Sequence, residues 1–144
     1  MEFECRTPVN VADTLTNDVC VKKVQSSFWR LVILGILAGV YIGFGAQLAT
    51  LVGHDLAKFV GFGFARFVQG AVFSVGLMLV VIAGAELFTG NNLIMLSVLD
   101  GKASIGKLFY NWVVVYFANF VGCLLYTSDA ADDLLCVDLG GRRI

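Results

Sequence analysis

A chain of 144 residues with 58% of its positions hydrophobic, 15% charged and a mean hydropathy of +0.84 is too apolar for an ordinary soluble domain. Its formal net charge of −1 lacks the basic footprint of a nucleic-acid binder and argues neither for nor against an anionic partner. The single histidine and the four cysteines show no metal-ligand spacing, and no nucleophile–base pair or phosphate loop occurs. No enzyme, cofactor or metal site is therefore expected, and Cys5, Cys20, Cys123 and Cys136 read as unpaired thiols.

The apolar residues fall in blocks. Leu31–Gly53, Phe67–Ala85 and Leu108–Ser128 each lack Asp, Glu, Lys, Arg and His. Each is long enough to cross a hydrocarbon layer of about 30 Å, which takes roughly 20 helical residues. Lipid offers no hydrogen-bond partners to an open backbone, and nothing alternates as barrel strands do, so the expected class is an all-α membrane protein with three passes.

Met1–Arg6 carries Glu2 and Glu4 where a secretory signal would be basic, and no apolar run follows before Leu31, so this segment is expected to be retained. Thr7-Pro8 fits an N-cap followed by proline at the first helical position. Val9, Ala12, Leu15 and Val19 then recur at spacings of three and four, which predicts a short amphipathic helix within residues 1–27, lying along the membrane face. A plain surface helix is the alternative.

Lys22, Lys23, Arg30, Lys102 and Lys107 would flank one side of the membrane, against Lys58 and Arg66 on the other. By the positive-inside bias the N-terminus is expected in the cytoplasm of a cell (inner or plasma) membrane. The first pass, over about 28–53, carries Gly35, Gly39 and Gly43 at intervals of four, a stripe that lets a neighbouring helix approach closely. In the outer connection that follows, His54 beside Asp55 reads as a solvated residue at the end of the span.

The second pass, over about 65–99, contains a contradiction. Glu86, Thr89, Gly90, Asn91 and Asn92 interrupt it, yet Leu93–Leu99 is again almost wholly apolar and no basic residue arrives before Lys102. An exit turn should not be followed by seven residues of which only Ser97 is polar. The pattern therefore predicts a break inside the membrane near 88–92, where irregular backbone is tolerated only against protein or a water-filled cavity. Glu86 reads as a local cap or hydrogen-bonder. The third pass covers about 107–125.

"AGAELFTGNNLI", the "TP" surface helix, "LGILAGVYIGFGA" and "ANFVG" together resemble the first half of the formate/nitrite transporter family over Thr7 to about Leu125. The resemblance implies one three-helix repeat of an aquaporin-like fold of six helices in two inverted repeats, assembled as a homopentamer with a pore in each protomer. It implies transport of a small monovalent weak-acid anion such as formate, nitrite or hydrosulfide. Leu87 and Phe88 match the family's cytoplasmic constriction, and Phe73 and Leu77 its outer one. Thr89, with Gly90 and Asn91, matches the anion-facing loop, and Asn119 matches an asparagine taken as a structural hydrogen-bonder. A regular helix would set the two constrictions about 15 Å apart. Asn10 departs from the family's frequent acidic residue. The family's proton-donating histidine belongs to the second repeat and has no match here, since His54 stands elsewhere.

After Leu125 the character changes. "YTSDAADDLLCVDLGGRRI" places Asp129, Asp132, Asp133 and Asp138 where the third span should finish. Residues 126–144 resemble translated vector sequence joined to a truncated frame, a genuine acidic tail being the alternative, and the chain is expected to be a fragment. Two other functions fit the pattern: a non-transporting membrane assembly subunit, and a half-size transporter that dimerises in opposite orientations.

Overall fold

The computed structural model describes residues 7–141, with side chains described through Tyr126. Cys5, Cys136 and the side chains of the tail after Tyr126 thus lie outside the described residues. The described residues are helical with short connections, and three helices are long and apolar enough to cross a membrane. The molecule is an all-α membrane protein.

A surface helix opens the chain: α1 (Pro8–Thr14), a π-helical turn (Leu15–Val19) and α2 (Cys20–Val24). Thr7 caps it, its Oγ1 accepting the Asn10 amide at 3.3 Å with Pro8 next in line. The Val9 stripe is not what this helix buries. Val9 is 76% exposed, whereas Cys20 is buried with Ile94 and Leu108. Val9 and Ala12 instead border an open cleft with Thr16, Leu96 and Leu99. Thr16, Cys20 and Lys23 face the rest of the protein, with the Ser97 hydroxyl donating to the Thr16 carbonyl at 2.6 Å and the Cys20 thiol to the Leu93 carbonyl at 3.3 Å.

The first pass is α3 (Phe28–Gly53), followed by the short α4 (Leu56–Val60) and a turn at Gly61. His54 is exposed just past the end of α3, and Asp55 pairs with Lys58 at 2.6 Å. The second pass begins with α5 (Phe62–Ala83), resumes after a gap as α6 (Phe88–Asn91) and α7 (Ile94–Leu99), and turns at Gly101 into α8 (Ile105–Gly141).

Helix α3 is the centre, packed on both α5 and α8. Its glycines make the approach possible. A Cβ on Gly35 would stand 2.6 Å from the Ala118 Cβ, and one on Gly39 would stand 2.9 Å from the backbone nitrogen of Cys123. On the other side Gly45 meets Gly76, where an added Cβ would lie 3.0 Å from the opposing Cα. Backbones this close gain dispersion contacts that apolar side chains facing lipid cannot supply. The outward faces stay apolar, with Phe67, Val81, Ile82 and Phe117 largely exposed.

Candidate functional site

The interruption of the second pass begins one turn before 88–92 and brackets it, with irregular backbone at 84–87 and a turn at 92–93 on either side of α6. Helix α5 stops at Gly84, whose φ of +62° and ψ of +32° place it in the left-handed region that glycine enters without penalty. Leu87 is extended (φ −96°, ψ 131°), and Phe88–Asn91 is a helical turn rather than a loop. Gly84 opens the break, Glu86 lies within it, and Thr89–Asn91 belong to the helical turn that follows. The spacing of about 15 Å between Leu77 and Leu87 assumed a regular helix and does not carry over.

A backbone opened among apolar helices must find partners for its freed amides and carbonyls. Asn119, on α8, supplies two of them and adds a bond to α3. Its Oδ1 accepts the Phe88 amide at 2.9 Å, and its Nδ2 donates to the Glu86 carbonyl at 2.9 Å and the Gly35 carbonyl at 2.8 Å. One side chain thus ties the gap to α3 and α8 together. The Glu86 amide donates in turn to the Leu34 carbonyl of α3 at 3.2 Å.

A second cluster holds the far side of the gap. The Lys23 ammonium donates to the Glu86 carboxylate at 2.6 Å and to Asn91 Oδ1 at 2.8 Å. Asn91 Nδ2 donates to Asn111 Oδ1 at 2.8 Å, and Asn111 Nδ2 returns to the Lys23 carbonyl at 3.3 Å. Donors and acceptors alternate around this ring without a mismatch. Trp112 adds an indole N–H to the Asn91 carbonyl at 3.1 Å. Among the described residues, no buried side-chain nitrogen or oxygen is left without a partner.

These contacts correct one expectation. Glu86 is not a local cap, since its partner lies 63 positions away on the surface helix. Asn91, expected in the anion-facing loop, is 0% exposed, and every polar atom of its side chain is engaged. Thr89 and Gly90 are exposed, and Leu87 and Phe88 are half-buried. Leu87, Phe88 and Thr89 line a cleft with Gly39, Tyr116 and Asn119. Phe73 lines a separate cleft with Arg66 and Gln69, and Leu77 is exposed on α5. The structure therefore gathers Leu87, Phe88, Thr89 and Asn119 and leaves Phe73 and Leu77 apart from them.

Lys23, Asn111 and Trp112 escaped the sequence reading. Lys23 counted only as a topological charge. Asn111 did carry a signal: an amide amid Phe109, Tyr110, Trp112 and Val113 is costly in an apolar span unless it is hydrogen-bonded.

The fold and the pinned gap define a polytopic α-helical membrane protein with a discontinuous second pass, the kind of element that transport proteins place beside a substrate path. A family model described as "Formate/nitrite transporter" matches residues 11–130, and the chain belongs to that family. It is 46% identical over 121 residues to a probable formate transporter of Methanothermobacter thermautotrophicus, covering 81% of this chain and 44% of the relative. It is 41% identical over 124 residues to the formate channel FocA of Escherichia coli (strain K12), covering 86% of this chain and 43% of the relative. A formate-nitrite transporter of Plasmodium ovale is 31% identical over 117 residues, covering 74% and 37%. The chain thus spans about half the length of the curated relatives it matches.

Proposed function

We propose that this chain supplies one three-helix repeat of a channel that moves small monovalent weak-acid anions, formate, nitrite or hydrosulfide, across a cell membrane. A second, inverted repeat completes each pore, protomers assemble as a homopentamer, and the surface helix lies on the cytoplasmic face. The observation that carries this reading is the gap at Gly84–Leu87, held open by Asn119 beside a cleft lined by Leu87, Phe88 and Thr89.

In this reading Leu87 and Phe88 form the inner constriction, Phe73 and Leu77 the outer one, and Thr89 with Gly90 offers polar groups between them. Asn91 holds the turn in place. An isolated ion between two apolar rings faces a desolvation cost of up to tens of kcal/mol, less where water and dipoles remain. Protonation first is far cheaper. An acid of pKa about 4 at pH 7 needs about 4 kcal/mol to become neutral, and one of pKa about 7 needs almost none. The anion is drawn in charged and crosses the tighter ring neutral or transiently protonated. Flux therefore rises as pH falls from 8 to 5, and a flat profile over that range would remove the protonation step.

Flux of formate, nitrite and hydrosulfide into proteoliposomes tests the assignment. The chain alone is compared with the chain joined to the part of the Escherichia coli relative that the match leaves uncovered. Flux only from the joined form supports the repeat. Equal flux from the short chain favours a half-size transporter that dimerises, and no flux from either leaves a non-transporting assembly subunit.

A further inference from the structure

We propose that Trp112 and Tyr116 are positioning residues for Phe88, so that one stripe of α8 sets the aperture of the inner constriction. The inference rests on the assignment of Phe88 to that constriction. Phe88 opens a helix of four residues flanked by irregular backbone, which by itself cannot fix a ring. Three residues of α8 fix it instead. Trp112, Tyr116 and Asn119 are spaced by four and three and so share one face. Asn119 holds the Phe88 amide at 2.9 Å. Trp112 meets the Phe88 ring edge to face at 6.2 Å and 64°, and Tyr116 meets it at 5.5 Å and 76°.

Trp112 holds both ends of the short helix. Its ring touches Phe88 at the start, and its indole N–H bonds the carbonyl of Asn91 at the end. It is itself braced by Phe109, edge to face at 5.7 Å, and Tyr116 is braced by Phe117 at 5.6 Å. A belt of interfacial aromatics would need no such convergence on one ring. Edge-to-face pairs are directional, so two of them with a fixed amide leave Phe88 one orientation.

The test uses the full chain in detergent micelles with 4-fluorophenylalanine at position 88. A single fluorine resonance is expected, which moves or splits in Trp112→Leu and Tyr116→Leu and moves less in Trp112→Phe, where a ring remains. Phe67→Leu, on the exposed face of α5, leaves it in place. A resonance indifferent to both α8 positions overturns the proposal. Trp112→Phe and Tyr116→Leu keep the test informative should Trp112→Leu fail to fold.

A second readout is the ratio of formate to propionate flux through the joined protein in proteoliposomes. The ratio falls several-fold in Trp112→Phe and Tyr116→Leu, and neither change moves it further once Phe88→Leu is present. A shifted resonance with an unchanged ratio overturns the aperture claim. Absence of any formate flux from the parent protein refutes the transport assignment instead, and the fluorine spectrum still decides whether α8 positions the ring.

Discussion

Gly39 is the position where the helix packing and the gap can be broken by one methyl group. A Cβ there would stand 2.9 Å from both the Asn119 carbonyl carbon and the Cys123 amide nitrogen, and nearer still to the Asn119 carbonyl oxygen. These are backbone atoms and cannot rotate away. Ordinary contact begins at 3.4 Å, so α3 and α8 must part by at least 0.5 Å, and further to clear the oxygen. The same movement draws Asn119 from the Gly35 carbonyl, now 2.8 Å away, and strains its bonds to Glu86 and Phe88. Overpacking of this kind costs about 1–3 kcal/mol, and a buried group left unpaired costs about 1–3 kcal/mol more. Gly39→Ala should therefore lose about 2–6 kcal/mol. Gly70 is the control: it lies within α5 with no atom within 4 Å of an added Cβ, so Gly70→Ala should be neutral or gain up to about 1 kcal/mol from helix propensity. Thermal unfolding in detergent, read by tryptophan fluorescence, gives the two shifts, and exchange of the Phe88 amide reports the gap directly. Equal midpoints for both variants, or a Phe88 amide as protected in Gly39→Ala as in the parent, would refute the coupling of packing to the gap.

Other consequences follow from the same contacts. Lys23→Met leaves the Glu86 carboxylate, 8% exposed, buried without its cation and should destabilise by about 3–5 kcal/mol; Glu86→Gln should cost less because the Lys23 side chain keeps 23% exposure. Combining the two should recover most of the loss, as unfolding midpoints in detergent would report. Asn119→Leu removes the partners of Phe88, Glu86 and Gly35 at once and should speed exchange of the Phe88 amide, whereas Asn119→Asp keeps the acceptor for that amide and should slow it again. Burial pushes the Cys20 thiol up, against weaker opposite pulls from Ser97 and Lys23. Its neutral form is the one the fold prefers, so its contribution to stability is full below the usual thiol range and is lost as pH rises through the raised value. Relative to Cys20→Ala, the parent chain should lose stability only at alkaline pH, and iodoacetamide should label Cys20 slowly at neutral pH.

Sequence and structure divide the information unevenly. Composition alone determined the class, because three long uncharged blocks have no stable home in water and only helices satisfy a backbone in lipid. The glycine stripe on the first pass was legible for a related reason: a small-residue spacing of four is a property of one helix, readable without a partner. The existence of an interruption was legible too, since polar residues inside an apolar pass have few other uses. Its start at Gly84 was not. Gly84 looks like any other glycine among "VIAGAE", and only the chain's course shows that it takes the left-handed turn while Thr89–Asn91 returns to helix. The face by which the surface helix docks on the protein was not legible either, because Thr16, Cys20 and Lys23 find their partners in distant segments.

What holds the gap was decided entirely by tertiary structure. Asn119 meets Gly35 across 84 positions, Lys23 meets Glu86 across 63, and Asn111 returns to Lys23 across 88. Local pattern carries the period of a helix and the cost of a polar residue within it, and those set where chain can cross a bilayer. Which distant side chain satisfies that cost depends on how three helices come together, and no spacing within one of them records it.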